Sequence, residues 1–252
     1  MKKSIFQILV LLFIFSSCRT PRPTELVYFE SRSIESIADI MPDTAIETVI
    51  FPYKQVIEKE MTKRPAFSED AIEKSKPVGP LNRLTADLVF ISAQDFLMKN
   101  DSLKLDFALL NHGGLRKSLP KGEITVGDIY ELMPFDNMIG IAELDAKTVE
   151  ELFDFLAKYE DGHPIANARF DIAQEKAFNI LINDKPLDEN RTYLIATNDY
   201  LLSGNDGMLF FTRSLKIINT NIMVRTAFLE KIDRVNLNLY NNTVGDRKLK
   251  IK

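Results

Sequence analysis

The chain has 252 residues, 27% of them charged, and its 32 Lys and Arg against 36 Asp and Glu give a formal charge of −4. That acidic balance offers no bulk electrostatic reason to bind nucleic acid. A single cysteine excludes an intramolecular disulfide, so stability has to come from the hydrophobic core.

The first residues are Met1-Lys2-Lys3, then an apolar run from Ile5 to Phe15 broken only by Gln7, then Ser16-Ser17-Cys18. A basic start, a short apolar stretch and small residues form the pattern of a secretory signal, too short to span a bilayer comfortably. Residues 1–17 are therefore expected to be removed, which takes away two lysines and no acid and moves the formal charge from −4 to −6. The placing of Cys18 resembles a bacterial lipoprotein signal, in which the cysteine is lipidated and becomes the new N-terminus. This implies an exported, membrane-anchored protein of the cell envelope, although Phe15 stands where such signals usually carry leucine. Residues 18–25, with Pro21 and Pro23, read as a tether. Residues 26–252 read as one domain.

Leu26-Val27-Tyr28-Phe29 reads as a short strand. From Asp43 to Met61 apolar residues recur at steps of three and four, predicting an amphipathic helix with Asp43 as N-cap. A loop with Pro65, Pro77, Gly79 and Pro80 precedes a second helix, from about Asn82 to Met98. Leu105 to Leu110 reads as a buried strand, Thr125 to Leu132 as a short helix entered through Thr125, and Met138 to Leu144 as a strand. Asp145 opens an amphipathic helix through Lys158. Phe170–Ile172 and Asn179–Ile182 flank a polar hairpin, and Tyr193–Thr197 is a further strand. A last helix from about Asn221 to Val235 and a basic terminal strand close the chain. Hairpin strands mixed with helices argue an α+β fold.

Three patches carry the chemistry. In Asn111-His112-Gly113-Gly114-Leu115-Arg116, the paired glycines let backbone amides approach a ligand and Arg116 offers a planar fork of donors for phosphate or carboxylate. Pro134-Phe135-Asp136-Asn137 sets an aromatic face, which can stack on a base, beside an amide that can bond the base edge. Asn198 to Gly207 places Tyr200 six residues before Asp206 in a loop with Gly204 and Gly207. In order and spacing these patches resemble the C-terminal, substrate-binding domain of the 5'-nucleotidase family, most strongly over residues 43–215. The resemblance implies that fold. It also implies roles: Asn111 on the base, Arg116 toward the anionic end, Phe135 and Tyr200 on opposite faces of the base, and Asp206 on the ribose hydroxyls. Three features depart from the family, and one is Asn205, which stands where the family's loop usually carries a second glycine. Where an arginine is expected before the second helix stand Ser75 and Lys76, with Lys74 nearby, and the expected acidic residue is replaced by Val78 or Gly79.

The family's other half is a metallophosphatase that holds two metal ions. Two-metal chemistry needs a cluster of histidines and carboxylates. This chain has only His112 and His163, neither at metal-ligand spacing to the other, and no Gly-x-Ser-x-Gly elbow. The chain thus reads as a nucleotide- or nucleoside-binding domain without a catalytic residue, metal or cofactor of its own. Divalent metals and hydrolysis are expected in a separate metallophosphatase chain. A scavenging lipoprotein that binds nucleosides without a catalytic partner, or an envelope scaffold, are the alternative readings.

Overall fold

The computed structural model describes residues 41–76, 79–100, 102–159 and 162–242. The signal, the tether, the strand at Leu26–Phe29 and the basic terminal strand lie outside them. Helix α1 (Thr44–Met61) begins as expected, with the Asp43 carboxylate accepting from the Ala45 amide at 2.8 Å. None of its residues is buried, and the apolar stripe that includes Val49, Tyr53, Val56 and Ile57 faces solvent. Its C-terminal end is tied to the domain by the Val126 amide, which donates to the Lys63 carbonyl at 2.8 Å.

The centre is a five-stranded sheet. Strand β1 (Ala66–Ser68) pairs outside it with β3 (Gly122–Ile124), and helix α2 (Pro80–Asn100) separates β1 from β2 (Phe107–Leu109). After helix α3 (Val126–Leu132) come β4 (Met138–Asp145), helix α4 (Ala146–Ala157) and β5 (Ile165–Ala166). Then follow the hairpin β6 (Ala168–Ala173) and β7 (Lys176–Ile182), β8 (Lys185–Pro186), β9 (Thr192–Asn198), helix α5 (Asp199–Leu202), β10 (Lys216–Met223), helix α6 (Val224–Lys231) and helix α7 (Asn238–Asn242). The central order is β10-β4-β9-β2-β5, antiparallel except for the parallel pair β9–β2.

Side chains alternate across a strand, and here both faces are apolar because both are covered. Ala108, Ile139, Ile141 and Ala196 enter a core with α2 and α6, whereas Phe107, Leu109, Ala142, Leu144 and Ile195 enter a second core with α4. Helix α2 starts at Pro80, a residue whose fixed φ suits the first helical position. It is buried on every side from Leu81 to Val89, since α6 and α7 also pack on it. The polar Asp87 is accommodated there by the Tyr240 hydroxyl at 3.0 Å. The three-stranded sheet β6-β7-β8 lies against α4, and its hairpin turns through Gln174 and Glu175, both with positive φ, as a two-residue type I′ turn requires.

One boundary corrects the sequence reading. The segment from Asn221 does not begin the last helix, because Lys216–Met223 pairs with β4 across a bulge between Asn219 and Met223. Asn221 itself has φ of 58°, outside helical geometry. The β-branched Ile217 and Ile218 suit that edge strand, and α6 starts only at Val224.

Candidate functional site

The parallel pair β9–β2 sets the site. With Phe107 opposite Ile195 and Ala108 opposite Ala196, the two strands end together and release Asn111 and Asn198 side by side. The Asn198 amide donates to Asn111 Oδ1 at 3.5 Å, while its own Oδ1 caps α5 by accepting from the Leu201 amide at 2.8 Å. His112–Gly114 form a single 3₁₀ turn. A Cβ on Gly114 would lie 3.0 Å from Asn111 Oδ1, so glycine is what lets the amide side chain fold over the turn.

The second loop closes on the same asparagine. Gly204 and Gly207 have positive φ, and so does Asp206 at 54°, a conformation that aspartate tolerates better than most residues. The bend aims the Asp206 carboxylate inward. One oxygen accepts from Asn111 Nδ2 at 2.7 Å and the other from the Tyr200 hydroxyl at 2.9 Å. Asn205 stands where the family resemblance leads one to expect glycine, and it bonds the Tyr200 carbonyl at 2.8 Å, fixing the loop to α5.

The hydrogen bond to Asp206 is the main reason the Tyr200 phenol is held above its usual range, with some desolvation adding to it. A raised folded value contributes stability that is present below the unfolded value of about 10 and lost as pH rises through the folded one. Absorbance titration of the tyrosines should therefore show Tyr200 ionising late. Asp206→Asn should bring it back toward the rest, and a titration curve unmoved by that change would contradict the assignment.

Asn111, Gly114, Phe135, Asn137 and Asn198 line one cleft, backed by Thr85 of α2. It is narrow, with a volume of about 30 Å³, the scale of one or two water molecules. Larger groups do not fit inside it; Phe135, which lines it, is 49% exposed, and Tyr200, bonded to Asp206, is 40% exposed. Arg116 is exposed beside the turn, its backbone amide bonded to the Leu132 carbonyl at 2.8 Å and its guanidinium 3.4 Å from the Gly113 carbonyl. No carboxylate pairs with Arg116 among the described residues. Lys74 reaches the same turn, donating to the Leu115 carbonyl at 2.6 Å. The cleft and the turns beside it carry amide donors and acceptors, the anchored Asp206 carboxylate, the exposed rings of Phe135 and Tyr200, and the cationic Arg116 and Lys74.

Both histidines hydrogen-bond within the protein beside the turn. His112 is buried with Nδ1 3.3 Å from Asn82 Nδ2, and His163 Nδ1 accepts from the His112 amide at 3.3 Å. His163 is half-buried. No cluster of three or more His, Cys, Asp or Glu suited to a metal occurs among the described residues. Sequence reasoning quoted Asn198 at the head of the third patch without giving it a role, and did not single out Thr85. Asn198 could have been caught by its cap position ahead of α5, whereas Thr85 sits mid-helix and carries no local signal.

The comparisons with known proteins agree with one another. A family model described as 5'-nucleotidase, C-terminal domain, matches residues 60–213. A 5'-nucleotidase of Vibrio vulnificus (strain CMCP6) is 26% identical over 211 residues, covering 81% of this chain and 37% of that protein. Protein UshA of Escherichia coli (strain K12) is 26% identical over 150 residues, covering 56% of this chain and 27% of that one. The crystal structure of a 5'-nucleotidase precursor from Thermus thermophilus has the same fold, with a TM-score of 0.61 at 21% identity, covering 76% of this chain and 40% of that chain. The chain thus spans less than half the length of each of these proteins.

Proposed function

Because the chain belongs to the 5'-nucleotidase C-terminal domain family, we propose that it is a nucleotide- or nucleoside-recognition domain, the non-catalytic half of a split nucleotide phosphohydrolase. The observation that carries this reading is the cluster in which Asp206 joins Asn111 to Tyr200 beside the cleft of Phe135 and Asn137. A base would stack at the mouth against Phe135 and Tyr200, with Asn111 and Asn137 on its polar edge. The ribose hydroxyls would bond Asp206, whose carboxylate has lone pairs left after accepting two bonds. Gly113, Gly114, Gly204 and Gly207 would keep the backbone close to the ligand, and Arg116, helped by Lys74, would meet the phosphate end.

Hydrolysis would come from a separate metallophosphatase chain, since a dinuclear site needs more ligands than two histidines without the required spacing can supply. The purified protein alone is expected to release no phosphate from adenosine monophosphate with manganese, zinc or cobalt. It should support turnover when combined with such a chain. Strong activity of this chain alone, surviving rigorous purification, would overturn the non-catalytic reading.

Residues 1–17 would act as an export signal and Cys18 as the lipid-bearing residue ahead of a tether through residue 25, with the domain following from residue 26. Stable anchoring takes more than one acyl chain. Cys18→Ser is therefore expected to move the protein out of the membrane fraction or to block its processing. A variant that is processed normally and keeps the same membrane share would count against the lipid.

A further inference from the structure

We propose that Arg225 is a positioning residue for Phe135, acting through the backbone that carries the ring; this inference rests on the base-stacking reading above. Phe135 is half exposed, so core packing alone does not fix where its ring stands. Its place is set by the backbone of the α3–β4 connection, and that backbone is held from α6. Arg225 is only 7% exposed. Its Nη1 donates to the Met133 carbonyl at 2.8 Å and the Phe135 carbonyl at 3.4 Å, and its Nη2 donates to Asp136. The guanidinium carbon lies 4.1 Å from the centre of the Tyr130 ring, a cation–π contact from the α3 side. One residue earlier, the Val224 amide donates to the Asn137 carbonyl at 2.9 Å, and Val224 lines the cleft.

The first turn of α6 therefore grips Met133, Phe135, Asp136 and Asn137, on both sides of the stacking ring. A planar fork with five donors can serve these divergent acceptors while lying flat on an aromatic face; an ammonium cannot do both. Pro134 has no amide hydrogen with which the loop could brace itself. A buried cation on three acceptors of the segment that carries an exposed ring is the geometry of a support.

The test uses calorimetry with two probes, adenosine, which has a base, and ribose 5-phosphate, which has none. Arg225→Lys is expected to weaken adenosine by roughly tenfold, within the range of a lost base–aromatic stack, and to leave ribose 5-phosphate unchanged. In a Phe135→Ala background the same change should have little further effect on adenosine. Equal losses for both probes, or the same loss in both backgrounds, would show a general structural role and overturn the proposal. Should Arg225→Lys fail to fold, Asp136→Asn weakens the same grip at a side chain that is 71% exposed. It should give a smaller loss, again confined to adenosine. If the wild-type protein binds neither probe, the recognition reading itself fails. If Phe135→Ala weakens adenosine while Arg225→Lys and Asp136→Asn match the wild type, only the positioning role fails.

Discussion

Phe153→Ala is expected to destabilise the protein by about 3–5 kcal/mol, the usual cost of removing a buried phenylalanine. The ring has no exposed surface and stands at the junction of three layers. It meets Phe107 of the central sheet at 5.5 Å and Phe170 of the hairpin sheet at 5.2 Å between centroids. Its helix, α4, is otherwise well specified, with the Asp145 carboxylate capping it through the Thr148 amide at 2.7 Å. The cavity would open between two sheets that cannot both move toward it. Urea unfolding should show a lower midpoint at an unchanged slope. A loss under about 1 kcal/mol would mean the layers collapse onto the gap more freely than close packing allows.

Asp206→Ala is the substitution expected to damage ligand binding most. It removes the proposed ribose acceptor and strips Asn111 and Tyr200 of a shared partner. Hydrogen bonds to a charged group are worth about 1.5–3 kcal/mol, so adenosine should weaken by roughly that much. Free adenine, which has no hydroxyls to lose, should weaken less. Asp206→Asn separates the two contributions, because its oxygen can still accept a hydrogen bond but carries no charge. Equal losses for adenine and adenosine would assign Asp206 to loop geometry instead.

Much of this architecture is legible from local chemistry. Thr125 and Asp128 announce the capping box that opens α3, which the structure forms in both directions. Asp43 and Asp145 mark the helix starts they cap. The aligned delivery of Asn111 and Asn198 is readable only as a family resemblance, since nothing local reveals that β2 and β9 are parallel neighbours. Strands of two or three residues, such as β1, β3, β5 and β8, are too short to show a period. Strand β10 escapes a reading by pattern because its pairing with β4 passes through an irregular bulge. Arg225 is invisible for a different reason. An arginine near a helix start reads as solvated, and only the tertiary structure shows three acceptors and a ring around it.

The cleft also has a place in time. Asn111 and Asp206 are 95 residues apart in the chain, and the parallel partners that align them enclose α3, β4, α4 and the hairpin sheet. Parallel pairing across so long a stretch closes slowly, because the loop entropy is lost before the contacts form. A chain still being made, or one cut before β9, carries Asn111 but not Asn198, Tyr200 or Asp206, and so only half of the proposed site. Completion of the proposed site is therefore expected late in folding and its loss early in unfolding. A ligand bridging the two strand ends would stabilise only the finished state, and resistance to proteolysis would rise with ligand concentration as a measure of how many molecules have completed that last closure.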